Sequence, residues 1–245
     1  MRLDVYLAEN DFAPSRAKAQ EMIKGGSVTV DGQTVNKPSY EIAEGEEVKL
    51  LPNPLQRYVG RGGLKLECAL ECFGISVKDA VAVDIGASSG GFTDCLLQKG
   101  AAFVYAVDSG EGQLHPSLAS DPRVENREHV NARYLSKCDF EKTPTVVVMD
   151  VSFISQTLIL PSVADVLSEG GVFVTLIKPQ FELDRSALGK NGVVKSEKLR
   201  LRAVERVKTA AAALGFRLLG VTESSLHGGD GNIEYLAAFA VASKK

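Results

Sequence analysis

The stretch "AVDIGASSGGFT", residues 82–93, places an apolar run that ends in an acid directly before a turn rich in glycine and serine. This pattern is typical of a buried β-strand followed by a tight turn and the start of a helix. In open α/β sheets such a turn lies beyond the carboxyl end of a strand, where ligands bind. Gly86, Gly90 and Gly91 would let the backbone approach a ligand closely. The stretch therefore predicts a ligand site at the end of a strand in a parallel sheet.

From about residue 60 onward, strand-like and helix-like segments alternate along the chain. Continuous apolar strands separated by helices predict a mostly parallel sheet that is covered on both faces. The last two strand-like runs are joined by a loop alone, so they predict an antiparallel pair at one edge of the sheet. In chain order, the runs after the first strand are "FVYAVD" (103–108), "TVVVMD" (145–150), "GVFVTLIK" (171–178), "FRLLGVTES" (216–224) and "EYLAAFAVA" (234–242).

The first fifty residues have a different pattern. Two short helical segments precede "SVTVDGQTV" (27–35), in which alternating strands flank the Asp-Gly pair of a hairpin turn. The tripeptide "PNP" at 52–54 then interrupts regular structure. We therefore expect a small α+β domain at residues 1–50, a linker at 51–59 and a large α/β domain at 60–245.

Composition limits the classes of protein to which the chain can belong. Its 245 residues carry a formal net charge of −3, which gives no general affinity for polyanions. The four cysteines form no C-x-x-C pair and have no neighbouring histidines, so we expect no metal site and no disulfide framework. The charged N-terminus is unlike a signal peptide, and the apolar runs are shorter than the roughly 20 residues of a membrane span. These features predict a cytoplasmic protein without a membrane partner.

The glycine-rich turn also indicates which ligand binds there. Its spacing does not match the G-x-G-x-x-G of dinucleotide folds, and it lacks the G-K-[ST] of a phosphate-binding loop. Asp84, before the turn, suits an amine, and Asp108, at the end of the next strand, is placed to hold the hydroxyls of a ribose. An amine and a ribose without a phosphate describe S-adenosylmethionine. The alternative is that the glycines only form a tight turn between a strand and a helix.

Four dispersed charged residues stand out in the large domain. Asp150 and Lys178 directly follow long apolar strands, Lys65 lies on the first helix, and Glu234 begins the last strand. A charge in such a position is costly to bury unless it is paired. Taken singly, each has an ordinary explanation, as a solvated helix residue, a helix cap, a strand end or a turn residue.

The four charged residues and their surroundings resemble the FtsJ-type ribose 2′-O-methyltransferases, which carry a Lys-Asp-Lys-Glu tetrad on a Rossmann-like fold. The whole chain is similar to the TlyA family, often labelled hemolysins. That family places an RNA-binding domain, of the type found in small-subunit ribosomal protein four, before the methyltransferase domain. The matching stretches are "GRGGLKL" (60–66), "DIGASSGGFTDCLLQ" (84–98), "VVVMDVSFIS" (146–155), "LIKPQFE" (176–182) and "GNIEYL" (231–236).

This resemblance implies a fold, a reaction and a set of site residues. The fold would be a seven-stranded, mostly parallel, S-adenosylmethionine-dependent methyltransferase sheet, and the substrate the 2′-hydroxyl of a cytidine in ribosomal RNA. Because the chain starts at the RNA-binding helix and stops after the last strand, we expect a target in 23S rRNA, with 16S as the other option. The implied catalytic residues are Lys65, Asp150, Lys178 and Glu234. The cofactor contacts, together with Asp84, are Gly86, Ser88, Gly90, Gly91 and Asp108.

Lys178 is the best candidate to orient the attacking hydroxyl and take its proton. A lysine is protonated in neutral water, so Lys178 acts either as a base that has lost its proton or as an electrostatic clamp. Both roles remain open at this point. The polar segment 182–196 is either a lid that contacts RNA or a mobile surface loop.

RNA binding by the first fifty residues is the weakest part of the match. They contain six lysines and arginines against nine aspartates and glutamates, which is an acidic balance for a module that contacts phosphates. The bases are nevertheless clustered, and a protein-docking module is the alternative. The candidate RNA contacts are Arg16, Lys18, Lys24, Arg57 and Arg61.

Three other functions compete with an rRNA methyltransferase. A catalytically silent RNA-binding or ribosome-assembly factor would not need the four charged residues. A membrane-active hemolysin would need an inserting segment or a secretion signal. A methyltransferase for a small molecule or a protein would not need the N-terminal module. The expected partner is thus ribosomal RNA or a ribosomal subunit, and no pattern in the sequence indicates an oligomeric state.

Overall fold

The computed structural model describes residues 1–43, 45–51, 57–189, 192–226, 228 and 231–241. The chain divides into two compact units, Met1–Arg57 and Tyr58–Lys245. The "PNP" at 52–54, on which the predicted linker depends, lies outside the described residues.

The N-terminal unit packs two helices against a small antiparallel sheet. Helices α1 (Leu3–Glu9) and α2 (Arg16–Lys24) precede strands β1 (Val28–Val30), β2 (Gln33–Thr34) and β3 (Val48–Leu50), which lie in the order β2-β1-β3. The side chain of Ser15 caps α2 by accepting the Lys18 N–H at 3.2 Å. The predicted hairpin turn is confirmed, since Asp31 and Gly32 have φ angles of 48° and 77° between β1 and β2.

The second unit is built on a seven-stranded sheet with the order β6-β5-β4-β7-β8-β10-β9. The first five strands of this order run parallel, and β10 is antiparallel to both β8 and β9. The predicted antiparallel pair at one edge is therefore confirmed. The strands are β4 (Val81–Ile85), β5 (Phe103–Val107), β6 (Val124–Arg127), β7 (Val146–Met149), β8 (Val172–Ile177), β9 (Phe216–Glu223) and β10 (Tyr235–Val241).

Helices cover both faces of this sheet, as the alternating pattern predicts. One hydrophobic core joins the sheet to α3 (Gly62–Phe73), α4 (Gly91–Gln98) and α5 (Pro116–Ala119). The other joins it to α6 (Leu160–Val166) and α8 (Glu197–Ala213). A single helical turn, α7 (Pro179–Glu182), follows β8.

Two features are absent from the described residues. None of their helices is long and apolar enough to cross a membrane. Within the same ranges, no group of three or more His, Cys, Asp or Glu side chains could hold a metal ion.

Candidate active site

The fold brings the four predicted catalytic residues to one edge of the sheet. Asp150 follows the last residue of β7, and Lys178 follows the last residue of β8. Glu234 precedes Tyr235, which pairs with Ile177 across the antiparallel β8–β10 ladder. Helix α3, which carries Lys65, packs against β10. Strand ends that are far apart in sequence thus converge at the carboxyl edge of the parallel strands, where ligands bind in such folds.

The four residues form two lysine–carboxylate ion pairs. Lys178 Nζ lies 2.6 Å from Asp150 Oδ1 and donates to Ser152 Oγ at 2.9 Å. Lys65 Nζ lies 2.5 Å from Glu234 Oε2, and the two side chains are only 11% and 3% exposed. Charges buried to this degree are tolerated when they are paired, so each carboxylate compensates one ammonium and fixes its position.

The two pairs differ in their access to open space. Asp150 and Lys178 line a cavity of about 200 Å³ together with Arg61, Gly62 and the glycine-rich turn. Lys65 and Glu234 are not part of the described wall of this cavity. The Lys178–Asp150 pair can therefore meet a substrate directly, whereas the Lys65–Glu234 pair supports the site from α3 and β10.

A larger cavity of about 410 Å³ adjoins the glycine-rich turn. Such a volume lies within the usual range for small-ligand sites. Gly86, Ser88 and Asp108 belong to its wall, as predicted for cofactor contacts. The Asp108 carboxylate accepts the Ser88 N–H at 2.8 Å and the Gly110 N–H at 2.7 Å, so it is held at the cavity edge by the backbone.

The three glycines of the turn are required for different reasons. Gly86 has a φ of +83°, and a Cβ there would lie 2.4 Å from the Asp150 carbonyl oxygen. A Cβ on Gly90, at φ +93°, would lie 2.3 Å from the side chain of Leu118. Gly91 packs against the start of α3, where its Cβ would approach Gly63 N to 3.0 Å. Gly90 lies on neither of these two described cavity walls, whereas Gly91 lines the smaller cavity and Gly86 lines both, so the tight-turn explanation is sufficient by itself only for Gly90.

Asp84 does not lie on the described cavity walls. Neighbouring residues of a strand point to opposite faces of the sheet, so Ile85 lines the larger cavity and Asp84 points towards α4. There Asp84 Oδ2 accepts the Thr93 hydroxyl at 2.7 Å, and Oδ1 has no hydrogen-bond partner among the described residues. Burial raises the pKa of Asp84 to about 7, which the Thr93 hydrogen bond partly opposes. In this structure Asp84 is buried and lies on neither of these two cavity walls, so a direct contact with a ligand amine would require the side chain to move.

Two further segments line the larger cavity. Val130, Asn131 and Ala132 follow β6, a strand without an apolar run, and line the cavity beside Asp108. Residues 151–154, directly after Asp150, line it from another side. Within this second segment, Phe153 is 92% exposed and has a φ of +64°, and its ring lies 5.1 Å from that of Phe181. An exposed aromatic ring at a cavity mouth is a candidate surface for stacking.

The predicted RNA-contacting residues on α2 are partly compensated by acids. Arg16 Nε donates to the buried Asp4 carboxylate at 2.9 Å, and Lys18 Nζ lies 3.0 Å from Glu21 Oε2. Hydrogen bonds, first from Arg2 and then from Gln20 and Arg16, hold the pKa of Asp4 well below its ordinary value. Lys24, Arg57 and Arg61 are exposed, and Arg61 lines the smaller cavity.

Comparison with known proteins shows which families the chain resembles. A family model for FtsJ-like methyltransferases matches residues 58–241, and a model for the S4 domain matches residues 1–48. The chain is 41% identical over 234 residues to the 16S/23S rRNA (cytidine-2′-O)-methyltransferase TlyA of Mycobacterium tuberculosis, covering 96% of this chain and 87% of that protein. It is 32% identical over 256 residues to the 23S rRNA (cytidine-2′-O)-methyltransferase TlyA of Campylobacter jejuni, covering 96% of this chain and 97% of that protein.

A solved structure matches over nearly the same length. A candidate hemolysin from Streptococcus thermophilus is 43% identical and superposes with a TM-score of 0.77, covering 99% of this chain and 88% of that one. Together, these matches confirm both resemblances that the sequence motifs predict.

Proposed function

The chain belongs to the FtsJ-like methyltransferase family, and on that premise we propose that it transfers a methyl group from S-adenosylmethionine to the 2′-hydroxyl of a cytidine in ribosomal RNA. The observation that carries this proposal is the pair of lysine–carboxylate contacts at the carboxyl edge of the sheet, beside a cavity of about 410 Å³. The S4 domain at residues 1–48 supports RNA as the substrate.

The walls of the larger cavity fit S-adenosylmethionine. Asp108 keeps acceptor capacity for the hydroxyls of a ribose, because a carboxylate offers about four lone-pair sites and two backbone N–H groups occupy only part of them. Gly86 has no side chain to fill the space at the end of β4, where Ser88 also reaches the wall. The segment Val130 to Ala132 supplies an apolar and amide surface for the adenine. When bound, the cofactor supplies an electrophilic methyl group.

Lys178 is the group that meets the attacking hydroxyl. Asp150 and Ser152 hold its Nζ at one place beside the smaller cavity, which continues along the glycine-rich turn. Because the Asp150 carboxylate compensates an ammonium, we favour Lys178 as an electrostatic clamp over Lys178 as a base. It orients the ribose oxygen and stabilises the negative charge that develops there, while the hydroxyl proton passes to solvent water in the open cavity. Holding the reacting atoms about 3–3.5 Å apart is the main contribution of such a site.

Phe153 gives the RNA a second point of attachment. Its ring is 92% exposed, and Phe153 lies on the same segment as Asp150 and Ser152. Stacking of a base on an aromatic ring is worth about 1–3 kcal/mol. Phe153 would thus hold the base while Lys178 holds the ribose oxygen.

The substrate is proposed from the relatives. Both curated relatives are named for cytidine 2′-O-methylation, one of 16S and 23S rRNA and the other of 23S rRNA alone. We place the target in 23S rRNA and treat a 16S position as a second target to be tested. The intact pairing of all four charged residues disfavours a catalytically silent assembly factor.

The experiment is mass-spectrometric mapping of ribose methylation in 30S and 50S subunits that were assembled without this protein and then incubated with it and S-adenosylmethionine. We expect one new 2′-O-methylcytidine in 23S rRNA. An unmodified rRNA would refute the proposal. Leakage from lipid vesicles exposed to the same protein, without any methylation, would favour the hemolysin alternative.

A further inference from the structure

Glu182 is a buried carboxylate that the proposed reaction does not use. It is the last residue of α7, four positions after Lys178, and it is 1% exposed. Its Oε2 accepts the Ser155 hydroxyl at 2.6 Å, and its Oε1 accepts the Gln156 N–H at 2.7 Å. Both carboxylate oxygens therefore bind the segment that follows Asp150.

That segment, residues 150–156, needs support from outside because it has little regular structure of its own. It connects β7 to the short 3-10 helix Gln156–Leu158 and carries Asp150, Ser152 and Phe153. A phenylalanine at φ +64° is held in a sparsely populated and energetically unfavourable backbone region. Such a conformation persists only when neighbouring groups fix it.

Three residues of one helical turn supply this support. Lys178 holds the start of the segment through Asp150 and Ser152. The Phe181 ring lies 5.1 Å from the Phe153 ring in the middle of the segment. Glu182 holds the end through Ser155 and Gln156. These three supports come from five consecutive residues, 178–182, which comprise Lys178 and the single turn of α7 that follows it.

The main chain of Glu182 is also held by α8. Arg206 Nη1 donates to the Glu182 carbonyl oxygen at 2.7 Å, which ties α7 to α8. Burial raises the pKa of Glu182, whereas the hydrogen bonds from Ser155 and Gln156 and the charge of Arg206 lower it. An apolar side chain would avoid this burial cost but would leave the Gln156 N–H without its acceptor and remove one partner of the Ser155 hydroxyl.

We infer that Glu182 is a positioning residue for methyl transfer. It holds Asp150, Ser152 and Phe153 in fixed positions relative to Lys178. The inference rests on the proposed function for its kinetic consequence. Its structural part, the immobilisation of segment 150–156 by Glu182, can be measured without any substrate.

The kinetic test compares Glu182→Ala, Glu182→Gln and Ser155→Ala with the wild type. We expect Glu182→Ala to lower kcat for rRNA about ten- to a hundredfold, since small misplacements of reacting groups cost that much. The dissociation constant for S-adenosylmethionine should rise by a smaller factor than kcat falls, because residues 151–154 form only one side of the cofactor cavity and the Asp108 side is untouched. Glu182→Gln keeps an acceptor for Gln156 and should recover kcat to within about threefold of the wild type. Ser155→Ala should fall between the two.

The matched control is Glu205→Ala, which removes a carboxylate that is 64% exposed and pairs with Lys208 on α8. It should leave kcat unchanged. If Glu182→Ala leaves kcat unchanged, or lowers cofactor binding and melting temperature in proportion to kcat, Glu182 has a general structural role and the inference is wrong. Should Glu182→Ala fail to fold, Ser155→Ala and Glu182→Gln carry the same comparison.

The substrate-free test uses the absence of tryptophan from the sequence. Phe153→Trp introduces a single tryptophan into segment 150–156, and its fluorescence can be excited apart from that of the six tyrosines. Adding Glu182→Ala or Ser155→Ala to this reporter should lower its fluorescence anisotropy, whereas adding Glu205→Ala should not. An unchanged anisotropy would overturn the inference even if rRNA methylation is confirmed. Lower anisotropy together with an inactive wild-type protein would instead refute the proposed function alone.

Discussion

Replacing Asp84 with asparagine should change how the stability of the protein depends on pH. The pKa of Asp84 rises from an ordinary 3.8 to about 7 because the carboxyl is fully buried, with the nearby Asp150 and Asp108 charges adding to the effect. Between pH 4 and pH 7 the folded state then binds more protons at this carboxyl than the unfolded state does. The stability of the wild type therefore falls as pH rises through this window, and the loss is nearly complete at pH 8.

The two pKa values set the size of this effect. Integrated from pH 5 to pH 8, the linkage amounts to about 2–3 kcal/mol of lost unfolding free energy from Asp84 alone. Asparagine keeps an acceptor for the Thr93 hydroxyl but cannot ionise, so the variant avoids this loss. Its buried amide donors cost about 1–3 kcal/mol at every pH. The stability of the variant relative to the wild type should accordingly improve by about 2–3 kcal/mol between pH 5 and pH 8.

Urea unfolding of the wild type and of Asp84→Asn at pH 5 and pH 8 measures how the difference in unfolding free energy between them changes with pH. Groups that titrate alike in both proteins cancel in this comparison. Thr93→Val provides a second arm. It removes the hydrogen bond that lowers the pKa of Asp84, so it should make the loss of stability with pH larger. A difference between wild type and Asp84→Asn that is the same at pH 5 and pH 8 would refute the reasoning.

Three further predictions concern cofactor binding, stacking of an RNA base on Phe153, and phosphate contacts of the N-terminal unit. Gly86→Ala should lower both stability and S-adenosylmethionine affinity in calorimetry, because its Cβ would lie 2.4 Å from the Asp150 carbonyl oxygen at a φ of +83°; normal binding would contradict this. Phe153→Ala should raise the KM for rRNA about tenfold at unchanged cofactor affinity in steady-state kinetics, since one stacked base is lost; an unchanged KM would remove Phe153 from RNA binding. Arg16→Ala should reduce the slope of log K for RNA against log salt by about 0.7–0.9 in a filter-binding series, as one phosphate contact would; an unchanged slope would exclude such a contact.

The sequence predicts the architecture of the large domain because its strands are apolar runs that end at charged or glycine residues. Asp150 and Lys178 could be placed at one edge of the sheet from this pattern alone, since parallel strands end together. Strand β6 is different. Its residues, Val124–Arg127, are half-buried at the sheet edge and alternate with charges, so no apolar run identifies it.

The remaining site features depend on tertiary contacts. Lys65 and Glu234 are 169 positions apart, and no local signal predicts that they form an ion pair. The face to which Asp84 points cannot be predicted from the sequence, because the end of β4 must be known to within one residue, and a one-residue change of register reverses that face. The exposure of Phe153 follows from a left-handed backbone that the contacts of α7 hold in place.

The most direct test of methyl transfer by the Lys178–Asp150 pair is the single-turnover rate with labelled S-adenosylmethionine and 50S subunits. Lys178→Met should lose at least about a hundredfold in rate, as expected for removal of a group that acts on the reacting oxygen, while binding the cofactor with wild-type affinity. The matched variant Lys208→Met, which removes a paired lysine from α8, should react at the wild-type rate. A Lys178→Met rate within threefold of the wild type would contradict a catalytic role for this residue.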